Sequence, residues 1–268
     1  MAETSKAKSC RFDTPEKKDK LCRAKIAIVE ALNKMEFADE DFYWRGARCV
    51  QLEPTWGKPC DTAVPVRVAC AFGLVRIRAR DVLSFLVDML VDQDKAARVG
   101  AVQALAYSGT DAAALLLRLK VRIGDPEVDV ISECFGGILE LIPEQGISFV
   151  GEFLNATDEA IQEGALVALG SSRRPEAFAV LKSFAEKHSG ELQEVAYLAL
   201  ALLRLPVATD FLLGLVCDQS QAVAAAALGA LAVHRYDPNV RQRVAVAVAR
   251  NGDTTLRALF EKRFRTKE

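Results

Sequence analysis

The chain lines up with itself. The stretches VRVACAFGL (66–74), ARVGAVQAL (97–105), VDVISECFG (128–136), IQEGALVAL (161–169), LQEVAYLAL (192–200) and VAAAALGAL (223–231) superpose without gaps, with starts 31, 31, 33, 31 and 31 residues apart. Fixed self-similarity at such a period is the mark of a repeat architecture. The first column reads Val66, Ala97, Val128, Ile161, Leu192, Val223, and the fifth reads Cys70, Ala101, Ser132, Ala165, Ala196, Ala227. The ninth reads Leu74, Leu105, Gly136, Leu169, Leu200, Leu231. Small or apolar residues at i, i+4 and i+8 make one stripe of a helix.

A second helix follows in each unit. Phe85, Leu116, Phe149, Val180 and Phe211 form one of its columns, and Leu86, Leu117, Val150, Leu181 and Leu212 the next. The two extra residues of one unit are expected between its helices, near Pro143 and Gly146. A period of about 31 residues holds two helices of three to four turns and short loops. Such a unit cannot bury its apolar faces alone, so the units must stack. Composition agrees: 51% hydrophobic with few aromatics, dominated by Ala, Leu and Val, suits closely packed helices better than a β-sandwich.

The first-helix pattern resembles the HEAT-like repeat of the phycobilisome-lyase type, roughly D-P-x-V-R-x-x-A-x-x-A-L-G. Asp125-Pro126 with Val128 matches its opening; Arg67 and Arg98 its Arg; Ala101, Ala104 and Leu105 its core. Ala165, Ala168, Leu169 and Gly170 match it again, as do Ala227, Ala230 and Leu231. Asp129, Gln162, Gln193 and Ala224 depart from the Arg, and Asp-Pro opens only one of these first helices. The resemblance spans about residues 20–250. It implies an all-α, right-handed α-α superhelix of about seven two-helix HEAT-like repeats with a C-terminal capping helix. It also implies two classes of activity: a protein-binding scaffold, or a lyase or lyase-chaperone subunit acting on a protein-attached chromophore or modified protein.

Three segments are expected: a flexible lead-in at 1–19, the repeat array at 20–252, and a capping helix at 253–268. In the first unit the distance from Leu32 to Leu74 is 42 residues. The surplus falls at 51–61, where Pro54, Gly57 and Pro59 exclude a helix. Seven dispersed cysteines without a CxxC pair, and two histidines distant from most of them, give no zinc pattern. Cys22, Cys70 and Cys134 fall at apolar helical positions, as packed free thiols do. The polar start MAETSKAKSC and the absence of a long apolar run point to a cytoplasmic protein that does not enter membranes.

No nucleophile elbow, phosphate loop, HExxH or EF-hand pattern occurs. The expectation is a non-enzyme without cofactors. Net charge is −1, so no global field draws nucleic acid, leaving the basic C-terminal end as the weaker route to such binding. Charge is nevertheless segregated: between Asp125 and Glu163 there are ten acidic residues and no Lys or Arg. Glu140, Glu144, Glu152, Asp158, Glu159 and Glu163 are therefore candidates to bind a partner with a basic segment, summing into one field. The basic ends also allow self-association, end to middle. The second candidate region holds both tryptophans: Trp44, Arg45, Arg48, Gln51 and Trp56. Trp and Arg anchor interfaces more than most residues, whereas the bland alternative has Trp56 plugging the open end of the core. The favoured function is a scaffold holding a protein partner on a concave surface lined by second helices.

Overall fold

The computed structural model describes Phe12 and residues 19–265; the lead-in expected at 1–19 lies almost wholly outside the described residues. Fifteen α-helices are described, α1 to α15. The chain divides into two compact units, one up to Gly137 and one from Ile138 onward, and each is described by itself.

The first unit opens with α1 (Arg23–Lys34) and α2 (Glu40–Ala47). Asp39 caps α2, its side chain accepting from the Phe42 amide at 2.9 Å. Between α2 and the next helix the insertion forms a two-stranded antiparallel ribbon, β1 (Leu52–Glu53) against β2 (Cys60–Asp61), with Leu52 opposite Asp61. The helix pairs α3 (Val64–Arg76) with α4 (Val82–Leu90), and α5 (Lys95–Ser108) with α6 (Asp111–Ile123), follow. Asp94 and Thr110 cap α5 and α6 through the Ala96 and Ala113 amides. Gly109 ends α5 with φ 65°, a left-handed turn that costs glycine nothing. Helix α7 (Val128–Leu141) contains the division.

The second unit continues with α8 (Pro143–Glu152). Three further pairs follow: α9 (Glu159–Ser171) with α10 (Pro175–Lys187), α11 (Glu191–Leu202) with α12 (Pro206–Asp218), and α13 (Gln221–Leu231) with α14 (Pro238–Asn251). Proline opens α8, α10, α12 and α14, where its missing N–H is no loss. The closing helix α15 (Thr254–Arg263) is capped by Asp253 and buries Leu256, with Phe264 buried just beyond it.

The first helices pack tightly upon one another. A methyl group on Gly170 of α9 would meet the Ala199 carbonyl of α11 at 2.4 Å, and one on Gly100 of α5 would meet Val68 of α3 at 2.3 Å. Small residues are what let these backbones approach. Leu74, Leu105, Leu169, Leu200 and Leu231 of the ninth column are fully buried.

The register of α7 differs from the sequence expectation. Ser132 is half-buried and Gly136 exposed, whereas Val130, Cys134 and Ile138 are fully buried. The stretch that takes the columns is therefore 130–138. The two extra residues lie in the loop before α7 rather than near Pro143 and Gly146. The Arg column is occupied there by Ile131, not Asp129. Two stripes of Val128–Leu141 are apolar or small, and periodicity alone does not choose between them.

The end of the core in the first unit is not plugged by Trp56, which is 110% exposed at the ribbon tip. Aromatic packing there comes from Phe42 and Tyr43, both buried, with Phe12 against Phe42 at 4.9 Å and Phe37 edge-on to it at 5.7 Å. No helix among the described residues is long and apolar enough to cross a membrane.

Candidate functional site

A groove of about 780 Å³ crosses the first helices α1, α3 and α5. Its walls are apolar: Ile26, Val64, Val68, Phe72, Val99 and Tyr107. Glu30, Lys34 and Gln103 add polar groups to its lining. Ala69, Ala96 and Gly100, also in the lining, are small, and at Gly100 the room is taken by Val68. Phe72 and Tyr107 pack ring against ring at 5.5 Å, and Tyr107 is left 53% exposed. The sequence expectation placed binding on second helices; in this unit the groove belongs to first helices.

Two polar atoms of the lining residues are buried without a hydrogen-bond partner among the described residues: Asn33 Oδ1 and Arg76 Nε. Their side chains are otherwise held. Asn33 Nδ2 donates to the Ala69 carbonyl at 2.8 Å, and Arg76 donates to the Phe37 carbonyl and to Tyr43 Oη. An unpaired buried polar atom costs about 1–3 kcal/mol, so this wall is not optimised for stability alone.

The tryptophan region is built on a polar knot at the ribbon's base. Gln51 is buried; its Nε2 donates to the Asp19 carbonyl at 2.8 Å and to Glu53 Oε1 at 2.7 Å, and Lys25 Nζ donates to its Oε1. Glu53 also accepts from the Leu21 amide and the Thr62 hydroxyl. The Gln51 side-chain amide holds the Glu53 pKa below the usual carboxylate range, helped by these donors. Burial alone would raise the pKa of Asp61, but the Gln51 and Ala63 amides and Arg67, at 2.5 Å, bring it below the usual value. Gln51 is therefore a structural residue of the ribbon. Trp44 is half-buried, edge-on to Phe85 at 5.6 Å, with Nε1 donating to Glu40 at 3.0 Å. Arg45 and Arg48 are exposed. Trp56, with exposed Val50 and Leu52, is what the ribbon offers to solvent.

The six acidic candidates are all exposed. Glu140 ends α7 and Glu144 opens α8, while Glu152 closes α8, Asp158 caps α9 and Glu159 and Glu163 lie on α9. Eight residues of helix separate Glu144 from Glu152, about 12 Å at the helical rise. That exceeds the Debye length of about 8 Å. Glu140 and Glu144 thus lie by the start of α8, and Glu152, Asp158, Glu159 and Glu163 at or beyond its end.

Elsewhere, the buried thiols are inert. Burial pushes Cys134 up to about 12 and raises Cys70 well above the thiol range, and no cluster of three or more metal-ligating side chains occurs among the described residues. At the basic C-terminal end Arg243 is paired with Asp210, and Arg235 lies over the Tyr236 ring at 4.7 Å.

Paired helices, small-residue packing columns and a groove across first helices define an α-helical repeat protein. Residues 147–232 match the family of HEAT repeats. No curated protein matches the chain. Among solved structures the chain is similar to one from the complex of CpcE and CpcF of phycocyanin lyase from Nostoc sp. PCC7120. That likeness has 18% identity and a TM-score of 0.40, over 84% of this chain and 88% of that one. It is also similar to an engineered protein, at 18% identity and TM-score 0.35 over 75% and 62%. Human deoxyhypusine hydroxylase in complex with glycerol shows 18% identity and TM-score 0.28 over 85% and 97%. At these scores the likenesses carry no argument about function.

Proposed function

We propose that the protein is a non-catalytic interaction scaffold that holds an apolar segment of a protein partner in the groove across α1, α3 and α5. The observation that carries this reading is the groove itself: an open, aliphatic and aromatic trough of about 780 Å³ with polar groups at its margin. Recognition sites of this kind pair an apolar floor with a few convergent polar groups. Trp56 stands exposed at the tip of the ribbon whose second strand precedes α3. A lyase or lyase-chaperone role, implied by the repeat resemblance, stands second, because the groove lining is mainly apolar. The acidic residues of α7–α9 remain a proposed secondary contact for basic segments of the same partner.

Selection of binders from a displayed peptide library against the full chain tests the groove. Peptides rich in apolar residues are expected. Their affinity for a Phe72→Ala, Tyr107→Ala variant should fall at least tenfold, while a Glu144→Lys, Glu152→Lys, Glu159→Lys variant changes little. Loss of binding in a Trp44→Ala, Trp56→Ala variant with the groove variant unaffected would move the site to the ribbon.

A further inference from the structure

The groove does not stop at the last turns of α3 and α5. Arg76, the last residue of α3, and Tyr107, in the last turn of α5, line it and also line a second cavity of about 700 Å³. The sequence there reads RIRARD (76–81), three arginines in five residues, and Arg76, Arg78 and Arg80 all line the cavity. Tyr107, Ser108 and Thr110 complete its polar lining, which contains no Asp or Glu.

The three arginines are not equally available. Arg76 is committed to the Phe37 carbonyl and Tyr43 Oη. Arg78 and Arg80 are exposed, and their side chains have no hydrogen bond or ion pair among the described residues. The carboxylates around them are Glu36 and Asp39, between α1 and α2, Asp81 beside Arg80, and Asp111 in the first turn of α6. None of these lines the cavity, and Asp39 is engaged as the cap of α2.

Arg78 is also strained where it stands. Its φ is 56°, in the left-handed region, which penalises any residue with a Cβ. One repeat later the same turn position is Gly109, with φ 65°. A cation close to a helix C-terminus complements the dipole, and Arg173 and Arg204 hold the same position in the second unit, with φ 54° and 57°. That preference explains a cation in such a turn. It does not explain two unpaired ones on a cavity that continues an apolar groove.

We propose that groove and cavity together take a partner segment in which an apolar run is joined to an Asp or Glu side chain. The hydrocarbon lies across α1, α3 and α5, and the carboxylate meets Arg78 and Arg80. This rests on the groove reading above and adds to it the charge of the occupant. Arginine clusters recognise acidic motifs because a guanidinium offers paired, planar donors to a carboxylate. Glu30 and Lys34, one turn apart in the groove lining, offset each other, so the uncompensated charge lies at the Arg78 and Arg80 end.

Synthetic peptides that share the apolar run of a groove binder and carry a flanking Glu, Gln or Lys test this by calorimetric titration. The Glu form should bind about tenfold tighter than the Gln form, and the Lys form should be weakest. The margin should shrink between about 0.05 and 0.5 M salt as screening shortens. In an Arg78→Gln, Arg80→Gln chain the Glu and Gln forms should bind alike, with the Gln form as tight as to the parent. Arg78→Gly should weaken the Glu form while raising the melting temperature, because glycine relieves the left-handed turn; this separates lost recognition from lost fold. Equal affinity of the parent for the Glu and Gln forms overturns the inference and leaves the groove reading standing. So does a preference that vanishes on amidating the peptide C-terminus, which would assign it to a terminal carboxylate. Failure to obtain any groove binder, or a Phe72→Ala, Tyr107→Ala chain that binds every form like the parent, overturns both.

Discussion

Arg98 of α5 grips Asp125, which lies in the loop leading into α7, with two parallel bonds: Nε to Oδ2 at 2.8 Å and Nη2 to Oδ1 at 2.9 Å. Arg98 Nη1 also donates to the Asp92 and Gln93 carbonyls of the loop leading into its own helix. One arginine thus closes its own loop and ties down the next. Arg67 repeats the arrangement less tightly, with Asp61 at 2.5 Å and Asp92 at 3.8 Å. In the second unit Gln162 keeps only the local half, donating to the Ala156 carbonyl at 2.6 Å, its Oε1 having no partner among the described residues.

Removing Arg98 should therefore cost more than removing a surface arginine. The Asp125 side chain is fully buried, and Lys120 joins it at 2.8 Å. Breaking a buried pair from one side leaves an uncompensated charge, at a cost on the order of 3 kcal/mol. Arg98→Ala should show this in urea unfolding followed by circular dichroism. Arg98→Gln should lose less, because glutamine can keep the loop bond as Gln162 does. Equal losses for the two would show that the loop bond contributes nothing, and losses no larger than those of a surface arginine would show that the ion pair contributes nothing.

Acid should weaken the same joint. Burial raises the Asp125 pKa, but hydrogen bonds from Arg98 and Lys120 and the Glu127 amide overcome it and bring it down to about 2. The unfolded value is near 3.9. With the folded value depressed, the contribution is fully present above about pH 4 and is lost as pH falls towards 2. It amounts to about 2 kcal/mol. In Asp125→Asn the slope of stability between pH 4 and 2 should flatten relative to the parent, and parallel curves would refute the assignment.

Four alanine substitutions test the packing register. Leu105→Ala and Leu169→Ala remove fully buried side chains and should each cost about 2–5 kcal/mol. Gly136 is exposed on α7 with open space around it, so Gly136→Ala should stabilise by up to about 1 kcal/mol. Gly170→Ala should do the opposite, since its new methyl meets the Ala199 backbone, which cannot rotate away. Thermal unfolding of the four variants would sort them, and a destabilising Gly136→Ala would restore the 128–136 register.

Deleting residues 253–268 removes buried Leu256 and Phe264 from the last helix pair. Repeat arrays lose stability locally, because each unit leans on its neighbours. Hydrogen exchange should show lost protection in α13 and α14 and little change in α9 and α10. A uniform loss throughout the second unit would instead reveal one cooperative block.

The helix pairs, their 31-residue period and the buried Leu column were readable from residues alone, because a two-helix unit repeats the same side chains at the same buried points. The Arg at 67 and 98 was readable as a pattern, but not its partner: Asp92 and Asp125 meet it only once loops from successive units are stacked. The register of α7 was undecidable from periodicity, since two stripes of that helix fit. The folded chain selects 130–138, where Cys134 and Ile138 fill the space. Trp56 reads as a plug in sequence, yet the ribbon pairing that lifts it into solvent depends on Asp19, Gln51, Glu53 and Thr62 converging. The groove was invisible for the same reason. It is bounded by three helices from three units, and only their packing distance determines whether the side chains between them close a core or leave a trough.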